Sequence, residues 1–217
     1  MKKKSHPVFI INLEKRAERR EYVLDQFKGK SEFSASIVRA CEHEIGGVGL
    51  WNSIQTIVQN IINSAHEYII ICEDDLAFTE NYSAQKLEEQ ISVADTKGAD
   101  VLLGGISWFS SFCPITSDLI WVEHFGATHF TIVFRRFFQT ILSTGMGDYD
   151  AADARMASIT ENAMCIFPFI AVQKDFGYSD ATPSNNQNGR VDAFFKSASS
   201  RIIALNNLLD NYHRMDQ

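Results

Sequence analysis

Three consecutive acids, Glu73, Asp74 and Asp75, follow directly on the apolar run Tyr68–Cys72. A short, wholly apolar, β-branched run reads as a strand buried on both faces, and in open α/β sheets ligands sit beyond the carboxyl ends of the strands. Three adjacent carboxylates at the mouth of an apolar core repel one another, and a hard divalent cation, Mg²⁺ or Mn²⁺, relieves that repulsion. Alternation along an extended chain sends Glu73 and Asp75 to one side and Asp74 to the other. Asp75 is therefore the first candidate metal ligand, with Glu73 as its companion. A solvated turn or a charged helix N-terminus would account for the same acids about as well. A second acidic segment, DYDAAD at 148–153, offers carboxylates for general-base work. Asp150 and Asp153 share a face if that segment is helical, although Asp150 would serve nearly as well as a helix cap.

These groups need elements to position them. The pattern predicts a strand over Pro7–Asn12, a helix from Glu14 to about Phe27, a short strand at Ser36–Arg39 and an amphipathic helix through Trp51, Ile54, Val58 and Ile62. After the strand that carries the acids, Ser83 caps a helix that ends near Gly98. Strands follow at Asp100–Leu103, Leu119–Val122 and Thr128–Phe134, the last leading into a helix that stops before Gly145. Met164–Gln173 reads as one strand with an edge or bulge at Pro168. Arg190–Tyr212 closes the chain as a helix with Phe194, Ala198, Ile202, Leu205 and Leu209 on its apolar stripe, after a polar Gly177–Gly189 loop. The order is mixed α/β in a single domain spanning 1–217.

Composition narrows the function. The 217 residues are 45% hydrophobic, with 16 Phe and only 4 Pro, which excludes a mainly disordered or collagen-like chain. The formal charge of −7 disfavours nucleic acid as a partner. The 4 cysteines form no zinc-spaced cluster and read as reduced thiols. No run approaches the roughly 20 apolar residues of a membrane helix, and the start lacks a signal-peptide core, so a soluble cytoplasmic protein is expected. Lys2–Lys4 would suit peripheral contact with a membrane surface, but a solvated terminus explains them more simply. His129, alternating with apolar residues in a strand, reads as a hydrogen-bonded histidine of the core or surface. Trp51, Trp108 and Trp121 could stack on a sugar or fill the core.

Several segments, taken in order, resemble one family. IINLEKRAERRE is similar to the opening of the family 25 glycosyltransferases, the lipooligosaccharide-synthesis type. GGVGLWNSIQTI and EYIIICEDDLAF resemble that family's Gly-rich helix start and its strand closing in Glu-Asp-Asp. GATHFTIVFRRFFQTIL, DYDAAD and FIAVQKDFGYSDAT resemble its later strand and helix, acidic segment and final Gln and Ser-Asp segment. The resemblance implies a GT-A-like fold, with a mixed, mostly parallel sheet flanked by helices. It also implies a nucleotide-sugar donor, expected to be a UDP-sugar, a divalent metal on the Glu-Asp-Asp motif and a glycan or glycolipid acceptor. Asn12, Arg16, Arg19, Gly49, Ser53, Glu73 and Asp74 would then bind the donor, Asp75 and Glu73 the metal, and Asp150 or Asp153 would act on the acceptor in an inverting transfer. Asp175 and Asp180 flank the last strand and could approach the metal or the acceptor. The family commonly has Ser-His where this chain has Ser53-Ile54, so a catalytically weak binder of nucleotide sugar or glycan is the alternative. A Mg²⁺-dependent hydrolase built on the same acids is a more distant one.

Overall fold

The computed structural model describes residues 5–149, 151–178 and 189–215. In chain order the elements are β1 (His6–Asn12), α1 (Ala17–Phe27), β2 (Phe33–Arg39), α2 (Gly46–Ile61), β3 (Tyr68–Glu73), β4 (Leu76–Phe78), α3 (Ala84–Thr96) and β5 (Val101–Leu103). Then come β6 (Trp108–Phe109), β7 (Phe112–Thr116), β8 (Leu119–Val122), β9 (Phe125–Gly126), β10 (Phe130–Phe134), α4 (Arg135–Ser143), α5 (Ala152–Ile159), β11 (Ala163–Ile166), β12 (Ala171–Gln173) and α6 (Arg190–Met215).

Eight strands form the main sheet in the order β2-β1-β3-β10-β5-β11-β8-β7. β10 lies antiparallel to both β3 and β5, and β8 antiparallel to β11 and β7, while the remaining strands share one direction. This is the mixed, mostly parallel, helix-flanked sheet expected.

Each central strand feeds two cores by simple alternation. Ile69 and Ile71 of β3 face one core with Trp51 and Ile54 of α2, Phe138 of α4, Met156 of α5 and Phe195 of α6. Ile70 and Cys72 face the other with Val23 of α1 and Leu87 and Ile91 of α3. At α3, Ser83 caps as expected, its hydroxyl accepting the Lys86 N–H at 3.1 Å.

Three details depart from the sequence reading. The apolar run 164–173 is two strands in two sheets: β11 sits inside the main sheet, whereas β12 pairs with β4 in a separate ribbon. The chain turns between them through a cis Phe167–Pro168 bond. Gly105 lets this crossing happen, because a Cβ there would stand 2.2 Å from the Ala171 carbonyl oxygen. On α6 the buried face is Val191, Phe195, Ala198 and Ile202, while Phe194 and Leu209 are exposed, so the stripe is rotated from the one expected. His129 is wholly buried, and among the described residues its ring nitrogens find no hydrogen-bond partner of good geometry. Burial, only partly offset by the Ala171 backbone, pushes its pKa down to about 4. It packs edge-on against Phe195. Lys2–Lys4, Asp150, Asp180 and most of the Gly177–Gly189 segment lie outside the described residues. Among those described, no helix is long and apolar enough to cross a membrane.

Candidate functional site

A cleft of about 410 Å³ opens at the carboxyl ends of β1, β2 and β3, with Glu73, Asp74, Asp75 and Asp153 in its wall beside Arg16 and Arg19. The three consecutive acids diverge. Glu73, the last residue of β3, accepts a hydrogen bond from the Thr128 hydroxyl at 2.9 Å. Asp74 turns toward the start of the chain: Oδ2 accepts from the Asn12 amide at 2.7 Å and Oδ1 from Arg19 at 3.2 Å. Asp75 lies between Arg19, at 3.3 Å, and the Gln173 amide, at 3.5 Å.

Arg19 is the hub. One turn into α1 it is almost sealed from water, and besides the two carboxylates it donates to the Tyr178 carbonyl at 2.6 Å. Its guanidinium lies 4.7 Å from the Phe176 ring centre and 4.6 Å from that of Tyr178, and Arg16 lies 4.1 Å from Tyr178. Tyr178 also hydrogen-bonds Glu18 through its hydroxyl. The segment 174–178 thus straps the end of the β4–β12 ribbon to α1. It is anchored at its start where the Lys174 N–H donates to the Asp75 carbonyl at 2.7 Å.

The site carries excess negative charge. Burial and the neighbouring Asp75 push Glu73 up to about 8. Burial and Asp74 push Asp75 up to about 6, even though Arg19 pulls the other way. Burial opposes the charge on Arg19 too, but Asp75 and Asp74 outweigh it and hold the guanidinium protonated. One buried cation therefore does not balance the cluster.

The sign of the pH dependence follows from linkage. Between about pH 4.5 and 8 the unfolded chain has released the Glu73 proton while the folded chain still holds it, so folding becomes less favourable as pH rises through that window. In metal-free buffer Glu73→Gln is expected to be more stable than the parent at pH 8, by on the order of 2 kcal/mol once water in the cleft is allowed for. The difference should vanish near pH 4.5. Urea titrations of both proteins across that range check it, and a gap independent of pH would refute the buried, raised carboxyl.

The other expected site residues divide by position. Asp153, in the first turn of α5, lines the cleft, with Oδ2 accepting the Ala127 N–H and Oδ1 the Ala154 N–H, both at 2.8 Å. Asn12 is buried and spends its amide on Asp74 and, at 3.2 Å, on the Arg16 carbonyl. Gly49 and Ser53 stand behind the wall. A Cβ at Gly49 would lie 2.5 Å from the Cys41 carbonyl oxygen. The Ser53 hydroxyl donates to the Gly49 carbonyl and accepts from the Cys41 N–H, each at 2.8 Å. Both residues thus shape the 41–44 loop that forms the far side of the cleft. Ile54 is packed in the core, so the departure from Ser-His falls there.

Sequence reasoning did not single out Thr128, Gln173, Phe176 or Tyr178 as individual site residues. The aromatic pair flanking Gly177 was the available signal for the last two, since arginines seek such rings.

No family model matches the chain, and no curated protein does. Solved structures do. A glycosyltransferase involved in the glycosylation of the major capsid of PBCV-1 superposes with a TM-score of 0.51 at 9% identity, over 88% of this chain and 98% of that one. Apo UDP-glucose pyrophosphorylase gives 0.48 at 11% identity, over 89% and 82%. A glycosyltransferase of Streptococcus pneumoniae TIGR4 gives 0.48 at 7% identity, over 76% of this chain and 45% of that one. At such identities the likeness is one of fold. The architecture is GT-A-like.

Proposed function

We propose that the protein is a glycosyltransferase of the family 25 type. It would move a hexose with inversion from a UDP-sugar to a hydroxyl of a lipooligosaccharide-type glycan. The observation that carries this reading is the cleft at the strand ends, where the carboxylates of Glu73, Asp74 and Asp75 crowd together, the last two on the guanidinium of Arg19, and Asp153 stands apart with both oxygens fixed by backbone donors. The fold supports it.

A divalent ion fits the donor set. Glu73 and Asp75 are hard oxygen ligands whose raised proton affinity marks an uncompensated charge. Mg²⁺ and Mn²⁺ in nucleotide enzymes commonly take one or two carboxylates and complete their coordination with phosphate oxygens and water. Among the described residues no group of three or more His, Cys, Asp or Glu side chains is arranged to hold an ion by itself. When bound, the ion would offset the diphosphate charge and stabilise the departing nucleoside diphosphate.

The chain's own residues do the rest. Arg16, at the start of α1, offers guanidinium donors to phosphate or ribose oxygens. Arg19 is the second donor-site arginine and acts through Asp74 and Asp75, which it holds in place, and Asn12 holds Asp74 and the first turn of α1 in register. Asp153 takes the proton of the acceptor hydroxyl as its oxygen attacks the anomeric carbon from the face opposite the diphosphate. The bond from that carbon to the diphosphate oxygen breaks, and its electron pair leaves with the nucleotide. Asp150 is the second candidate for the base.

Calorimetry with UDP-glucose and UDP-galactose, with and without Mn²⁺, tests the reading. Binding of a UDP-sugar only when Mn²⁺ is present, followed by slow donor hydrolysis, is expected. Indifference to every nucleotide sugar in the presence of Mn²⁺ would overturn it.

A further inference from the structure

Trp108 is the exposed tryptophan of the described chain. Trp51 is sealed in the core with its indole N–H on the Thr144 carbonyl, and Trp121 is half-buried with its N–H on the Glu161 carbonyl. Trp108 is 56% exposed, and its indole N–H has no partner among the described residues. Exposed in this way, the ring keeps an apolar face and a polar N–H available to a ligand.

Its setting is built. Alternation in β6 sends Phe109 into the core and Trp108 outward, and β9 places Gly126 opposite Trp108. From α6, Arg201 pins the strand, donating to the carbonyls of Phe109 at 2.9 Å and Ser110 at 3.1 Å and lying over the Phe109 ring. Gly126 is closely covered: a Cβ there would lie 2.9 Å from Ser107 Oγ, 3.5 Å from the Trp108 Cβ and 3.6 Å from Asp153 Oδ2, so Trp108 and Asp153 stand on either side of one glycine with the Ser107 hydroxyl between them. Next in the chain, Ala127 holds a φ of 84°, a left-handed conformation that alanine adopts only at a cost, and in it aims its N–H at Asp153. Ser107 and Ala127, on either side of this contact, belong to the cleft wall.

We infer that Trp108 is the platform for the acceptor sugar. The C–H face of a pyranose lies on the indole, and a hydroxyl at the ring edge reaches past Ser107 toward Asp153 in the cleft wall. Stacking suits such a ligand because one face of a pyranose is apolar while its edge carries hydroxyls, and the free indole N–H can serve one of them. The inference deepens the glycosyl-transfer reading and rests on it.

Saturation-transfer NMR with methyl β-D-galactopyranoside and methyl β-D-glucopyranoside, and ribitol as the open-chain control, tests it. A ring C–H signal is expected for at least one pyranoside and not for ribitol. It should fall at least fivefold in Trp108→Ala and return in Trp108→Phe, with unchanged melting temperatures as the fold control. A signal that survives Trp108→Ala, or none for either pyranoside in a protein that binds UDP-glucose with Mn²⁺, overturns the platform and leaves the donor site standing. A Trp108-dependent pyranoside signal in a protein that binds no nucleotide sugar upholds the platform and fells the donor reading.

Discussion

Asp75→Asn is expected to lose Mn²⁺-dependent binding of UDP-glucose by a hundredfold or more while making the folded chain more stable at neutral pH. The two effects have one cause. Asp75 is partly sealed from water beside Asp74, and Arg19 and the Gln173 amide do not offset this, so its pKa of about 6 says that the fold as a whole disfavours its charge. Asparagine keeps the shape and removes that charge. The Arg19 contact weakens, but the repulsion goes too, and a gain of about 1 kcal/mol at pH 7.5 is the expected balance after allowing for residual solvent. For the ligand, the loss of a carboxylate that holds a divalent ion costs roughly 3–5 kcal/mol, within the range measured for breaking a buried charge pair at an interface. Calorimetry and urea denaturation on the same preparation check both. Unchanged donor affinity would remove Asp75 from the ion, and a loss of stability would show that the Arg19 pair outweighs the repulsion.

Arg19→Met should have the opposite effect on folding. The methionine retains apolar contact with Phe176 and Tyr178 but leaves Asp74 and Asp75 facing each other in a poorly solvated wall, with the Tyr178 carbonyl short of its donor. Removing one partner of a buried ion pair costs about 3–5 kcal/mol. The penalty should be greatest near pH 8 and shrink as pH falls through the Asp75 range, since a protonated carboxyl no longer needs the cation. Arg19→Lys should recover only part of the loss, because one ammonium cannot span two carboxylates and a carbonyl as the planar fork does. Urea midpoints at pH 8 and pH 5 measure this. A loss under about 1 kcal/mol at pH 8 would mean that water screens the pair as it does at a surface.

How much was legible in the chain depends on the range of the signal. The Tyr68–Cys72 run announced its strand because five apolar residues in a row suit a position between two helical layers, and the acids that follow marked its carboxyl end. Nothing in Phe130–Phe134 says that this strand runs against its neighbours, since a strand buried on both faces has the same composition in either direction. The run 164–173 hid a change of sheet for the same reason. Along α6 two helical stripes compete, through Phe194 or through Phe195, and only the packing against His129 and Phe169 selects the second.

In the site, the acids and the arginines were identifiable one by one, but their pairing was not. Arg19 meets Asp74 across 55 residues of sequence, and Asp153 meets Ala127 across 26. Residue type could nominate Ser53 and Gly49 but could not tell a group that shapes a loop from one that touches a ligand. That distinction came from the short contacts to Cys41.

The placement of β10 between β3 and β5 also bears on how the chain matures. Synthesis delivers β1, β2 and β3 early, and they can zip together as a parallel trio, but the far edge of β3 waits for residues 130–134. A nascent chain that has emerged only through Leu103 carries two hydrophobic strands whose backbone edges lack a mate, a state open to sticking to its neighbours. The acids at 73–75 meet Gln173 and Tyr178 later still, so the cleft is completed only once β12 and the segment 174–178 have been made.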